Sequence, residues 1–392
     1  MTRAPILKAV QQKTAAASAP SAWVPGLEGV VAVKTDISLV EDKRLTYRGY
    51  SIDDILKGKA EYEEVAYLLL NGELPNKIQL RDFKAELAKH RPLSPLLRDI
   101  LKETSENASP KDVLRTIVSA SSFEDPLEGD NSPEAEYQKS IRLVAKMPTI
   151  LAAYIRRRKG QQPIPPDPAL GHAANFAQMT WADQQDPRAA AVLNTCFILQ
   201  AEHGLNASTF VARVVTSTNA DMHAAVTAAL GALKGPLHGG ATDGTMKMLD
   251  EIGTPEHVAA WVERAIASKY KFSGFGHRVY HTLDPRATSL KGMAEELGKR
   301  TGHEELYQIS KQIEQYIKEA KNLNANVDFY SASTYYSLGI PVDLFTPIFA
   351  VSRMSGWTAH ILEQYANNRL IRPRAEYKGN PDGMRWVPMA ER

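Results

Sequence analysis

Apolar residues recur at three- and four-residue spacing along most of this chain, the pattern of helices that bury one face. The exception lies within residues 25–50. There VVAVKTDISLV alternates loosely and EDKR offers a turn back into LTYRGY, which predicts a small β element. Beyond it, SIDDILKG predicts a short helix with Ser51 as N-cap and Gly58 as its stop. EYEEVAYLLLNGELP sets Val65, Leu68 and Leu69 on one face and ends at Gly72 and Pro75. KIQLRDFKAELAKHRPL repeats the pattern with Ile78, Phe83 and Leu87 before Pro92. Ser109 and Pro110 open the next helix as N-cap and first helical residue. A helix follows over PTILAAYIRRRKG, then a Pro-rich connector, QQPIPPDPAL, that cannot be helical. DPRAAAVLNTCFILQAEHG, NADMHAAVTAALGALKG and PIFAVSRMSGWTAHILEQYANN are again helical by periodicity. Neither a 20–50-residue repeat nor sustained strand–helix alternation is present, so the class is all-α and a doubly wound sheet is excluded.

At 392 residues the chain can bury a large core and is near the size at which one core divides into two. Its 47 basic and 45 acidic residues leave a formal net charge of +2, which excludes a general polyanion binder and hence nucleic acid as the expected partner. A small anionic substrate stays open, because a pocket can concentrate Arg while the whole stays near neutral. The single cysteine, Cys196, precludes an internal disulfide and points to a reducing compartment. Its apolar run, LNTCFILQA, reads as core rather than as the setting of a nucleophile. No stretch approaches the ~20 apolar residues of a membrane span. The first 20 residues contain no acid and much Ala and Ser. They fit an organelle transit peptide, or a disordered tail, which the single Arg favours. The run Arg156, Arg157, Arg158 and Lys159 is either an anion patch or a set of cations against a helix C-terminus.

Candidate chemistry begins at ALKGPLHGGATDG, where one helix should stop at Gly235-Pro236 and another start near Gly239-Gly240. His238 then sits at a helix N-terminus, whose dipole favours a neutral ring able to donate to a developing oxyanion. Alternatively it is a histidine in a Gly-rich turn. KFSGFGHRVYHTLDPRA places His277 after Gly274, Phe275 and Gly276, with Arg286 nine residues on. Position 279 is Val where a dinucleotide fingerprint needs Gly. His277 and His281 lack an acidic third ligand in a recognisable motif, so no metal is expected. His203 ends an apolar helix, and Arg353 stands inside another, where an unpaired guanidinium is costly. Arg372 and Arg374 lie near the C-terminus. Asp328, between Val327 and Phe329, is either a base of raised pKa or the N-cap of FYSASTYYSLG.

Taken in order, AEHGLNAST, GPLHGG, GFGHRVY…DPRA, VDFYS, SRMSGWTAHILEQ and RPRAEY resemble the citrate synthase family of the shorter bacterial or archaeal type, from about Pro25 to RPRAEY. That resemblance implies a two-domain helical fold: a tail over 1–24, a large domain over 25–239 and 337–392, and a small domain over 240–336. It implies condensation of acetyl-CoA with oxaloacetate in a cytoplasmic homodimer, or in an organelle matrix if the tail is a transit peptide. No permanently bound cofactor is implied, since acetyl-CoA is a substrate. By motif, His238 would hydrogen-bond the thioester oxygen, Asp328 would take the α-proton and His277 would polarise the ketone. His203, Arg286, Arg353 and Arg372 would hold oxaloacetate, with Arg372 reaching a neighbouring subunit's site. Lys271, Ser273, Gly274, Phe275, Gly276 and Arg374 are the CoA candidates.

Two positions depart from the usual pattern: His281, where Lys or Arg is common near the CoA phosphates, and Thr242, where HGGAN has Asn. The alternative inside the family is 2-methylcitrate synthase, which uses propionyl-CoA. One methylene is worth only ~1–3 kcal/mol in an apolar pocket, so the residues alone separate the two poorly. A non-catalytic CoA- or dicarboxylate-binding homologue, and a metal-dependent hydrolase, are the readings from other classes.

Overall fold

The structure is a computed structural model that describes residues 23–182, 188–380 and 383–392. Most of the expected tail, residues 1–24, lies outside the described residues. Among the described residues there are sixteen α-helices and one antiparallel sheet of three short strands, β1 (Ser38–Glu41), β2 (Arg44–Tyr47) and β3 (Tyr50–Ser51). The described residues fall into two compact units, one within Thr35–Ile371 and one formed by the described parts of the terminal segments Met1–Lys34 and Arg372–Arg392. In the terminal unit, Lys378 lies over the Trp23 ring at 5.4 Å and Arg392 over Trp386 at 4.8 Å. No helix of the described residues is long and apolar enough to cross a membrane.

The main unit is organised by the helix Phe345–Ala366, which packs against Pro133–Arg158, Ala207–Thr216, Met222–Leu233, Tyr62–Asn71 and Ala189–Gln200. Nearly every residue from Phe345 to Ile361 is buried. Gly356 lets this helix lie close to the segment after Gln200: a Cβ there would lie 2.3 Å from the Ala201 carbonyl oxygen and 2.5 Å from Glu202 Oε2. A second group of helices joins Pro285–Thr301, Val327–Ser337, Ala241–Ile252 and Glu304–Lys321. Gln200 connects the two groups, donating to Ser331 Oγ at 3.1 Å and accepting from Tyr335 Oη at 2.8 Å.

Ser51, Gly58 and Gly72 act as expected: the Ser51 side chain accepts the Asp54 N–H, and Gly72 closes its helix in the left-handed region at φ 84°. The β element is shorter than the alternation suggested, starting at Ser38. Its turn, at Asp42-Lys43, serves the site. Asp42 Oδ1 accepts from the backbone of His281 (3.0 Å) and Thr282 (3.1 Å) and from Thr282 Oγ1 (2.9 Å). The helix expected from Pro148 begins at Pro133 and runs through Pro148 to Arg158. One lost backbone bond is outweighed there by continuous burial from Ser140 to Ala145 and Met147 to Ile155. Its terminal cations are engaged locally: Arg156 with the Gln162 carbonyl, Arg157 with the Leu101 carbonyl, Arg158 with Asp343. They therefore form a helix end and not an anion patch. Cys196 is fully buried, and burial pushes its thiol up to about 12.

Candidate active site

The main unit encloses a cavity of about 140 Å³ lined by His203, Asn206, His238, Thr242, His277, Arg286, Asp328, Phe349 and Arg353, among others. A site of this size suits a small dicarboxylate rather than a whole CoA thioester. It unites six site residues expected from sequence, His203, His238, His277, Arg286, Asp328 and Arg353. Arg372 and Arg374 stand exposed in the terminal unit.

His238 is set by a tight reversal. Gly239 N–H bonds back to the Leu233 carbonyl at 3.1 Å, and Gly240 N-caps Ala241–Ile252. A Cβ on Gly239 would lie 2.2 Å from that carbonyl oxygen, and one on Gly240 would lie 2.9 Å from Pro236 Cα. The two glycines therefore admit backbone. The backbone N–H of Ser208 (3.3 Å) and its hydroxyl (2.8 Å) both face His238 Nε2. A backbone N–H can only donate, so Nε2 accepts and the ring proton sits on Nδ1. Burial first, and Arg353 second, lower the ring to about pKa 4. At neutral pH His238 is an uncharged Nδ1–H donor.

His277 is the mirror case. The N–H groups of Val279 (3.0 Å) and Tyr280 (3.1 Å) both donate to Nδ1, which puts the proton on Nε2. Burial and then Arg286 lower this ring to about 4. It stacks on Tyr280 with centroids 4.5 Å apart and meets His203 edge-on at 5.0 Å. Gly274 and Gly276, both at positive φ (80° and 78°), let the preceding segment pair with residues 324–326. Asn326 N–H donates to the Gly274 carbonyl, Gly276 N–H to the Asn324 carbonyl, and Asn326 Nδ2 to the Gly276 carbonyl, each at 2.9 Å. The electrophile-bearing loop and the start of the Asp328 helix are thus one construction. Ser273 and Phe275 are half-buried and Lys271 is exposed.

Asp328 is not an N-cap. Asn326 holds that place, accepting the Asp328 N–H at 3.0 Å, and the carboxylate is left to the cavity. Burial raises its pKa, opposed by a 2.8 Å hydrogen bond from Thr242. A carboxylate so placed is a competent proton acceptor.

The cations divide their duties. Arg286 gives Nε (3.0 Å) and Nη2 (2.7 Å) to Asp284, which also caps the helix Pro285–Thr301, so Nη1 remains for a ligand. Burial alone would lower the Arg286 pKa, but Asp284 outweighs it and the group is held charged. Arg353, 2% exposed, donates Nε to the Gln200 carbonyl at 2.7 Å and lies 4.6 Å over the Phe349 ring. Burial lowers it to about 10, so it is charged at neutral pH, and its two Nη groups take no protein acceptor among the described residues. His203 bonds Tyr280 Oη at 3.0 Å, and burial, with Arg286 next, holds it well below the usual imidazole range. The outcome is two buried guanidinium groups with donors to spare beside neutral imidazoles, a lining for a small dianion.

Sequence reasoning missed Asn206, Asp284 and Asn326. Asn206 Oδ1 accepts from Ser208 Oγ (2.8 Å) and Thr209 N (3.1 Å), while its buried Nδ2 has no partner at the cavity wall. Its signal was an Asn directly before a helical run.

The chain also resembles proteins of known activity. Residues 26–374 match the family described as citrate synthase, C-terminal domain. The chain is 50% identical to citrate synthase 2 of Bacillus subtilis, over 94% of this chain and 98% of that one. It is 41% identical to a 2-methylcitrate synthase of Mycobacterium tuberculosis, over 91% and 90%. Among solved structures it superposes at a TM-score of 0.89 on the citrate synthase of Thermoplasma acidophilum in ternary complex with carboxymethyl coenzyme A and oxaloacetate, with 33% identity over 94% of this chain and 99% of that one.

Proposed function

The chain belongs to the citrate synthase family, and from that premise we propose that it condenses acetyl-CoA with oxaloacetate and hydrolyses the resulting citryl-CoA to citrate and CoA. The observation that carries this is the pairing of opposite tautomers in one cavity with an uncapped carboxylate: Nδ1–H on His238, Nε2–H on His277, and Asp328. Oxaloacetate enters first, its carboxylates taken by Arg353, Arg286 and His203. Asp328 removes a proton from the methyl carbon of acetyl-CoA. The C–H electron pair becomes the enol double bond, and the charge that moves onto the thioester oxygen is met by His238 Nδ1–H. The enol carbon attacks the ketone carbon of oxaloacetate, and the carbonyl electron pair moves to oxygen, which receives the His277 Nε2 proton. Water then adds to the thioester carbonyl carbon and the C–S bond breaks; the leaving thiolate takes the proton held by Asp328, and a proton of the water returns His277 to its Nε2–H form.

In this reading residues 240–336 form the small domain that closes on 25–239 and 337–392. Arg372 comes from the neighbouring subunit of a cytoplasmic homodimer. Lys271, Ser273, Gly274, Phe275, Gly276 and Arg374 meet CoA. The structure of the Thermoplasma relative with a CoA analogue and oxaloacetate supports both ligands by analogy.

Thiol release from acetyl-CoA and from propionyl-CoA, each with and without oxaloacetate, tests the function. Oxaloacetate-dependent release is expected from both, faster from acetyl-CoA. Faster release from propionyl-CoA would assign the chain to 2-methylcitrate chemistry, and none from either would refute the reading.

The protonation states fix the sign of a pH effect. Asp328 must be ionised and both imidazoles neutral, so protonation of any of the three abolishes the active form. With His238 and His277 at about 4, the rate is lost as pH falls and is not lost as pH rises from 6 to 8. A kcat that declines across that interval would show that an imidazolium is required, and would contradict these tautomers.

A further inference from the structure

Thr242 occupies the first turn of Ala241–Ile252 and is 6% exposed. A helical threonine can return its hydroxyl to the carbonyl one turn back. Here the hydroxyl instead crosses to the neighbouring helix and donates to Asp328 Oδ1 at 2.8 Å. The two helices, Ala241–Ile252 and Val327–Ser337, pack directly on each other, so donor and acceptor are both carried by regular structure. Among the described residues this is the hydrogen bond that reaches the Asp328 carboxylate. Asn326 has relieved that carboxylate of capping, and Oδ2 has no protein partner among the described residues.

We propose that Thr242 is a positioning residue for the base: its hydroxyl fixes the Asp328 carboxylate through Oδ1 and so aims Oδ2 at the α-carbon of the acyl group. The inference rests on the reading of Asp328 as the base. It assigns a task to a residue at which this chain departs from the commoner HGGAN. The contact also favours the form the reaction needs. Burial disfavours an ionised carboxylate, and a hydroxyl donor stabilises it against the neutral acid. The geometric part matters as much, because a misplacement of about 1 Å can cost roughly 100-fold in rate.

The test is Thr242→Val, which keeps the branched shape and removes the donor, beside Thr242→Ser, which keeps the donor. Both are assayed by oxaloacetate-dependent thiol release from acetyl-CoA across pH. Thr242→Val is expected to lose roughly 10- to 100-fold in kcat, to move the acid limb of kcat/KM to higher pH, and to leave oxaloacetate binding unchanged. Thr242→Ser is expected to restore both rate and acid limb. If Thr242→Val does not fold, Thr242→Ala carries the same prediction. A folded donor-free variant with unchanged kcat and acid limb would overturn the proposal. So would a Thr242→Ser variant as impaired as Thr242→Val, because packing alone would then explain the loss. An inactive wild-type chain would instead refute the proposed reaction and remove this inference with it. The two failures are therefore distinct.

Discussion

Asp328→Asn is expected to lower kcat by roughly 10²- to 10⁴-fold, the usual worth of a positioned general base, while the chain stays folded and binds oxaloacetate as before. The substitution is close to isosteric. Thr242 can still donate to the remaining oxygen, and Asn326 still caps the helix through the backbone N–H of residue 328. A buried amide replaces a carboxylate whose ionised form burial opposes, so stability has no reason to fall. What disappears is the acceptor for the α-proton. Steady-state kcat and calorimetric binding of oxaloacetate separate the two quantities. A rate within tenfold of wild type would remove Asp328 from the role of base.

His238→Ala is the second large effect, with an expected loss of roughly 10²- to 10³-fold in kcat, the range for deleting one oxyanion donor. The argument rests on the tautomer. Because Ser208 N–H faces Nε2, the ring can present only Nδ1–H to the cavity, and it does so uncharged. An uncharged donor suits an enol whose charge is only partly developed. The substitution also strips Ser208 of a partner, although the Ser208 hydroxyl keeps Asn206 Oδ1 (2.8 Å) and the Trp357 indole N–H (3.1 Å). A modest drop in melting temperature is therefore expected alongside the kinetic loss. The check is kcat with saturating oxaloacetate, and a loss smaller than tenfold would mean that the thioester oxygen is stabilised elsewhere.

The helices were legible where local chemistry and burial agree. Ser51, Gly58 and Gly72 cap or stop helices as their residue types suggest. Legibility failed where tertiary packing overrides a local rule. Pro148 marks a helix start in isolation, yet it lies in the middle of a 26-residue helix whose faces are covered on several sides. Ile78 fits the apolar stripe of Phe83 and Leu87 but sits in the first turn and is 62% exposed. At the site, the motifs gave the residues and the family resemblance gave their roles, whereas the tautomers required coordinates. Nothing in GPLHGG says that Ser208, thirty residues earlier, will dictate which nitrogen of His238 carries the proton. Likewise VDFYS leaves the cap open between Asp328 and its neighbours, and the structure assigns it to Asn326. The Thr242 contact spans 86 residues of sequence, so a departure without an evident local consequence gained one only in three dimensions.

The most direct test of the account follows free thiol from acetyl-CoA in wild type and Asp328→Asn, with and without oxaloacetate, at neutral pH. The account predicts release by wild type that requires oxaloacetate and a release at least about 100-fold slower in the variant. Release that proceeds equally without oxaloacetate, or at equal rates in the two proteins, would contradict it.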